Sequence, residues 1–320
     1  MDLSVVIPIY NEAENIEALH AEVSAALEGL GLDYEIVYVD DGSRDRSFEL
    51  LEKIAGWDPK AVVVRFRRNF GQTAAMSAGF DHARGRVIVT MDGDLQNDPR
   101  DIPKLLAKLN EGYDIAAGWR HDRQDPFLTR KLPSRLANGL ISRITDVHLH
   151  DYGCTLKAFR RGVIQSIRLY GEMHRFIPAI ASQMGVNIAE VPVNHRPRRA
   201  GKSKYGLGRT VRVVLDLITV KFLLTYATRP IQIFGLWGLA AGGAGLALAL
   251  YYAVQRLFMG VPLGNKPGLL LAVLLIFIGV QLISLGLVGE MQVRTYYETQ
   301  SKPTYAVRQV LNRDPLSPCD

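Results

Sequence analysis

Through residues 1–120 the apolar positions come in short runs separated by amphipathic stretches. Leu3-Ser-Val-Val-Ile-Pro-Ile9 reads as a β-strand, and after it Asn11 and Glu14 stand at capping-box spacing ahead of a helical pattern that lasts through Leu30. Tyr34-Glu-Ile-Val-Tyr-Val39 repeats the strand signal, Asp40-Asp41-Gly42-Ser43 breaks it, and Ser47 to Ala55 predicts a second helix. Ala61 to Phe66, Gln72 to His82, Arg86 to Met91, Asp101 to Asn110 and Tyr113 to Ala117 continue the alternation. Five strands separated by helices predict an α/β fold with a doubly wound, mainly parallel sheet. In such sheets ligands gather beyond the carboxyl ends of the strands, where Tyr10-Asn11-Glu12, Asp40-Asp41 and Asp92-Gly93-Asp94 fall.

Two later runs are of another kind. Residues 231–255 and 268–289 contain no Asp, Glu, Lys or Arg, and each exceeds the roughly 20 residues a helix needs to cross a bilayer. A mean hydropathy of +0.05 is therefore an average over unlike parts. Before the first run, Thr210 to Thr225 mixes Val213, Val214, Leu217, Ile218 and Phe222 with Arg212, Asp216 and Lys221, as a helix lying in the membrane interface would. The expected organisation is an α/β domain over 1–207, an interfacial amphipathic helix over 208–229, a two-helix anchor over 230–289 and a tail over 290–320.

Charge adds direction. Lys and Arg number 32 in residues 1–230, whereas the loop between the apolar runs carries Arg256 and Lys266. Met1 to Tyr10 lacks the basic start and long apolar run of a signal peptide, so the positive-inside rule predicts an inner-membrane protein with the domain and both termini in the cytoplasm. The two cysteines, Cys154 and Cys319, stand far apart without metal-type partners, which argues against a disulfide framework or a zinc site. Between Arg196 and Arg212 seven basic residues occur with no acidic one. Lying beside a membrane anchor and outside any RNA or DNA module, they suit an anionic lipid phosphate better than nucleic acid, and ordinary positive-inside charge accounts for part of them.

Among motifs, no G-x-G-x-x-G follows the first strand, and Gly201-Lys202-Ser203 lacks the glycine a P-loop requires five residues earlier, where Arg196 stands. Asp92-Gly93-Asp94-Leu95-Gln96 is an oxygen-rich cluster at a strand end, suited to Mg²⁺ or Mn²⁺, hard ions that keep positions open for phosphate oxygens. Asp41 and Asp45 fit turn formation and helix capping as well as ligand contact.

Val6-Ile-Pro-Ile-Tyr-Asn-Glu12, Val39-Asp-Asp-Gly-Ser-Arg-Asp45, Arg68-Asn-Phe-Gly71 and Asp92-Gly-Asp-Leu-Gln-Asn-Asp-Pro99 together resemble the GT-A fold of family 2 glycosyltransferases. Asp151-Tyr-Gly-Cys154, Phe159-Arg-Arg161, His174-Arg-Phe176, Arg198-x-x-Gly-Lys-Ser-Lys-Tyr205 and the two apolar runs look most like the polyprenyl-phosphate members, the dolichol-phosphate-mannose synthase type and its bacterial undecaprenyl-phosphate relatives. The resemblance implies an inverting transfer of sugar from a UDP- or GDP-linked donor to a polyprenyl phosphate. It puts Pro8, Tyr10, Glu12, Asp40, Asp92 and Gly93 at the donor, and Asp94 and Gln96 on the divalent metal with Asp92 bordering the ribose or the ion. Arg120, Arg135 and Arg175 are assigned to the acceptor phosphate, and Arg198, Ser203 and Lys204 to a loop that closes over it. Asp151 is the candidate for orienting the acceptor or assisting it as a base. Some members carry an acidic residue where this chain has Cys154, and His174 reads as structural more readily than as a base.

Two rivals are weighed. A processive polysaccharide synthase would carry a Q-x-x-R-W motif and more spans, neither of which is present. A non-catalytic nucleotide-binding membrane scaffold would not need Asp92, Asp94 and Gln96 together. Gly238 and Gly242 have the small-xxx-small spacing that admits a homo-oligomer through the spans.

Overall fold

The computed structural model describes residues 1–121, 142, 147, 149–167, 169, 173–182, 184–197, 230–260, 262, 266–299 and 305–313. The expected interfacial helix over 208–229 lies outside the described residues. The chain divides into two units, Met1–Val220 with Pro303–Asp320, and Lys221–Lys302.

The first unit is built on strands β1 (Leu3–Ile9), β2 (Tyr34–Asp40), β3 (Ala61–Phe66) and β4 (Val87–Thr90), joined by α1 (Ile16–Glu28), α2 (Ser47–Trp57) and α3 (Gln72–His82). α4 (Ile102–Asn110) and β5 (Ile115–Trp119) follow, then β6 (Lys157–Arg160), the short α5 (Arg161–Gln165), α6 (Ile177–Ser182) and β7 (Ile188–Pro192). A last strand, β8 (Val307–Leu311), completes an eight-stranded sheet of order β7-β5-β6-β4-β1-β2-β3-β8. The pairs β1–β2, β1–β4, β2–β3 and β5–β7 are parallel, and β6 and β8 run antiparallel to their neighbours. The chain therefore winds outward from β1 through β2 and β3 and returns to β1's other side with β4. That reversal opens a crevice at the carboxyl ends of β1, β2 and β4.

Alternation divides the core between the two faces. Val5, Ile7 and Ile9 of β1 meet Ile16, Leu19, Val23 and Leu27 of α1, whose spacing is one stripe of a 3.6-residue helix. Each such fully buried aliphatic contributes about 1.5–3 kcal/mol relative to exposure. Val6 faces the other way, onto α3, whose inner side is Ala74, Ala75, Ala78 and Gly79. A Cβ on Gly79 would lie 2.1 Å from Val6 Cγ1, so α3 sits close against β1 because of that glycine.

Three strands escape the pattern. β6 carries a buried lysine and a terminal arginine in four residues, β7 ends on proline, and β8 is Val-Arg-Gln-Val-Leu within what reads as a tail. β8 is nevertheless well fixed: Val310 pairs with Val64, Tyr305 stacks on Phe66 at 5.1 Å, and the Asn312 amide donates to the carbonyls of Ala55, Asp58 and Ala61. Arg313 pairs with Glu35, both side chains 3% exposed, and Glu35 also accepts from Ser4 Oγ and the Arg84 N–H. The expected capping box is absent. α1 begins at Ile16, and Asn11 instead takes a left-handed conformation (φ 53°) and accepts from the Arg44 N–H at 2.8 Å.

The second unit holds α7 (Pro230–Met259) and α8 (Pro267–Thr299), within which Phe234–Met259 and Pro267–Gly289 are long and apolar enough to cross a membrane. Both runs extend beyond the charge-free segments. A Cβ on Gly238 would meet the Gly279 carbonyl oxygen at 2.8 Å, and one on Gly279 would lie 2.7 Å from the Gly242 nitrogen. The small residues thus join α7 to α8 within one chain, which takes from the proposed oligomer the seam the spacing suggested.

Candidate active site

The loops after β1 and β2 are laced together. Asn11 N–H donates to Ser43 Oγ, Glu12 N–H to Ser47 Oγ and Ala13 N–H to Asp45 Oδ2, while Asp45 also accepts from the Ser47 N–H. Asp45 is a loop fastener. So is Asp41, whose two oxygens accept the N–H groups of Phe70 and Gly71 at 2.7 and 2.9 Å, and burial pushes its carboxyl up to about 6. Asp40 differs. Its Oδ1 accepts the Ser43 N–H, and its buried Oδ2 has no hydrogen-bond partner among the described residues, Arg65 Nε standing 3.7 Å away. Burial raises its pKa. A buried acceptor of this kind at a strand end suits a ligand N–H.

Beyond β4 the acidic loop is tightly built. Asp92 accepts from Gln72 Nε2 on Oδ1 at 2.9 Å and from Thr155 Oγ1 on Oδ2 at 2.7 Å, and its own N–H donates to Asn97 Oδ1. Asp94 accepts the Gln96 N–H at 3.2 Å, and Leu95 between them is held at φ 61°, the strained region for a branched side chain. Gly93 lies close under β1: a Cβ there would stand 2.6 Å from Ile9 Cδ1 and 3.3 Å from the Pro8 carbonyl oxygen, so both neighbours would have to give way. Burial and the neighbouring Asp94 push Asp92 up to about 6. Asp92 and Asp94, two residues apart and followed by the Gln96 amide, offer a hard oxygen set of the kind that fits a divalent cation. No group of three or more His, Cys, Asp or Glu converges among the described residues, so further coordination would fall to a ligand.

The strap behind this loop comes from residues 194–196. Asn97 forms a β-bridge with His195, the Arg196 N–H donates to Gln96 O, Arg196 pairs with Glu22 and Asp98, and Asn194 Nδ2 donates to Asp98. Arg196, read as part of a basic path to lipid, is spent on these carboxylates.

Across the crevice, Arg120 and Asp151 form a buried bidentate pair: Nε donates to Oδ2 at 2.6 Å and Nη2 to Oδ1 at 2.9 Å. Guanidinium carries five N–H groups, and this pair uses two of them, so three are left over from it for other acceptors. His174 is buried with Nδ1 2.7 Å from Thr73 Oγ1, seating its turn on the start of α3. Arg175 makes its contact to His174 Nε2 at 3.5 Å and none to Arg120 or Asp151 among the described residues. Arg135, Arg198, Ser203 and Lys204 lie outside the described residues. No site role for Gln72, Thr155 or Asn97 was read from the sequence, although Asn97 lies inside the motif over 92–99. Gln72 and Thr155 each directly follow a motif that was read, and only the fold shows that both reach Asp92.

Residues 4–168 match the model of glycosyl transferase family 2. The dodecaprenyl-phosphate galacturonate synthase of Rhizobium johnstonii is 45% identical over 98% of this chain and 94% of its own length. The undecaprenyl-phosphate 4-deoxy-4-formamido-L-arabinose transferase of Edwardsiella ictaluri is 40% identical over 97% and 94%. Among solved structures, glucosyl-3-phosphoglycerate synthase from Mycobacterium tuberculosis, crystallised with Mn²⁺, UDP and glucosyl-3-phosphoglycerate, superposes with a TM-score of 0.55 at 21% identity over 69% of this chain and 79% of that one. The fold is the GT-A fold. The chain belongs to glycosyl transferase family 2, in the group of the polyprenyl-phosphate glycosyltransferases.

Proposed function

We propose that the protein moves a sugar from a nucleoside diphosphate sugar to a polyprenyl phosphate at the cytoplasmic face of the inner membrane, with inversion at the anomeric carbon. The observation that carries this reading is the pairing, across one crevice, of a donor-type wall (Asp40, Asp92, Asp94, Gln96) with the buried Arg120–Asp151 pair. In this reading Asp40 Oδ2 accepts an N–H of the nucleobase, and Pro8, Tyr10, Glu12 and Gly93 line the same pocket. Asp92, Asp94 and Gln96 would hold Mg²⁺ or Mn²⁺, which neutralises charge on the leaving diphosphate when bound.

The remaining N–H groups of Arg120 grip the acceptor phosphate while Asp151 holds the guanidinium in orientation. Arg135, Arg175, Arg198, Ser203 and Lys204 are proposed to add to that grip. A phosphate oxygen attacks the anomeric carbon as the bond to the nucleoside diphosphate breaks, and the bonding pair leaves with the diphosphate. The second pKa of a phosphate monoester is about 6, so the nucleophile is already ionised at neutral pH and needs no strong base. Orientation is thus the larger part of what Asp151 supplies.

Membrane topology follows the same logic. Two crossings return the chain to the side it left, which agrees with β8 belonging to the sheet that begins at Leu3. The reading is tested with the full chain in lipid nanodiscs, undecaprenyl phosphate and a panel of UDP- and GDP-sugars that includes the donors of the two relatives. Label should enter the organic phase from at least one donor and stop entering it with EDTA. No lipid-linked sugar from any donor overturns the reading.

A further inference from the structure

Lys157 on β6 is 3% exposed, an unusual place for an ammonium. Its Nζ donates to the carbonyl oxygen of Tyr152 at 3.2 Å and to that of Cys154. Its neighbours on the strand, Ala158 and Phe159, are apolar and fully buried, so an apolar residue would serve the sheet as well. What the ammonium adds is a grip on two carbonyls of the 151–155 turn. Burial lowers the pKa of this lysine, yet either protonation state keeps at least two N–H groups for these carbonyls.

That turn touches both halves of the site. At one end Asp151 holds Arg120, and its Oδ1 also accepts the Gly153 N–H. At the other, Thr155 Oγ1 donates to Asp92 at 2.7 Å while the Thr155 carbonyl accepts from Thr90 Oγ1 at 2.7 Å. Between the ends the Tyr152 hydroxyl donates to the Val147 carbonyl at 2.6 Å, outside the site, and the Cys154 side chain makes a weak sulfur contact to Leu156 O at 3.9 Å. We infer that Lys157 is a positioning residue: it keeps the 151–155 turn in one piece, and through that piece sets the acceptor-side Arg120 and the donor-side Asp92 relative to each other. The inference rests on the function proposed above.

The test compares full-length wild type, Lys157→Met and Thr155→Val in nanodiscs, all with Cys319→Ser so that Cys154 is the single thiol. Substrates are undecaprenyl phosphate and the donor the wild type accepts. In Lys157→Met the KM for undecaprenyl phosphate should rise and kcat fall, together by about tenfold or more in kcat/KM, which corresponds to the loss of one buried hydrogen-bonded contact. Cys154, fully buried and with its thiol pushed up to about 11, should react with a maleimide at least about tenfold faster below the unfolding temperature. Unchanged kinetic constants with unchanged labelling, whatever the unfolding midpoint, overturn the inference. Should Lys157→Met fail to fold, Thr155→Val decides: a turn in one piece makes this donor-end change raise the acceptor KM as well, and an effect confined to the donor overturns the inference. The labelling needs no substrate. A wild type that makes no lipid-linked sugar would sink the proposed function while leaving that measurement to judge the turn.

Discussion

Asp151→Asn exchanges one oxygen for nitrogen in the Arg120 pair and removes one charge. The two hydrogen bonds it disturbs measure 2.6 and 2.9 Å, and the side chains are 15% and 4% exposed, so water screens little of the interaction. Deleting one partner of a buried pair outright costs about 3–5 kcal/mol. Asparagine keeps the shape and one acceptor, so the expected loss is that of one charged hydrogen bond, about 1.5–3 kcal/mol. If that energy holds the guanidinium in place for the acceptor phosphate, kcat/KM for undecaprenyl phosphate falls by roughly 10- to 150-fold at about 1.4 kcal/mol per factor of ten. Initial rates over a range of acceptor concentrations measure it, and the pH profile separates the two roles considered for Asp151. An orienting group lowers the profile evenly, whereas a base would take one limb of it away. A well-folded Asp151→Asn protein within about threefold of wild type would refute the argument.

Other outcomes follow from the same geometry. The Asp41 carboxyl, near 3.8 unfolded, sits at about 6 in the fold, so its contribution is fully present below 3.8 and lost as pH rises through about 6. Between pH 4 and 7 Asp41→Asn should therefore lose less stability than wild type, and urea midpoints that fall in parallel would contradict this. Gly79→Ala gains about 1 kcal/mol of helix propensity. Its methyl overlaps Val6, though, and should destabilise by about 1–3 kcal/mol net; a raised urea midpoint would show that α3 can move off β1. Arg313→Met leaves Glu35 buried with neutral partners and should cost about 3–5 kcal/mol in the same assay. Gly279→Leu should part α7 from α8 and lower the thermal midpoint of the detergent-solubilised chain; an unchanged midpoint would contradict the close seam.

Much of the doubly wound half could be read along the chain because its strands are uninterrupted apolar runs between helices with one apolar stripe. β1, with both faces buried, has the boundaries the pattern predicts. The second half hides because its strands are short and serve polar ends: Lys157 faces loop carbonyls, and Arg160 donates to the carbonyls of Leu109 and Tyr113. Site residues were legible where a motif is contiguous, as in Asp92-Gly93-Asp94. They were illegible where the partner is distant, as with Thr155, 63 positions from Asp92. Asp41 shows the converse, a motif residue whose carboxylate turns out to fasten Phe70 and Gly71.

The place of β8 carries a consequence for how the molecule is made. Synthesis runs from the amino-terminal side, so β1 to β4 can pair while the ribosome is still far from residue 307. The outer edge of β3, with its row of unpaired backbone groups, stays open until α7 and α8 have both been translated. The nascent enzyme thus completes its sheet last, after both long apolar helices exist. A ribosome that stalls between the two helices leaves behind a domain with a sticky edge rather than a finished transferase.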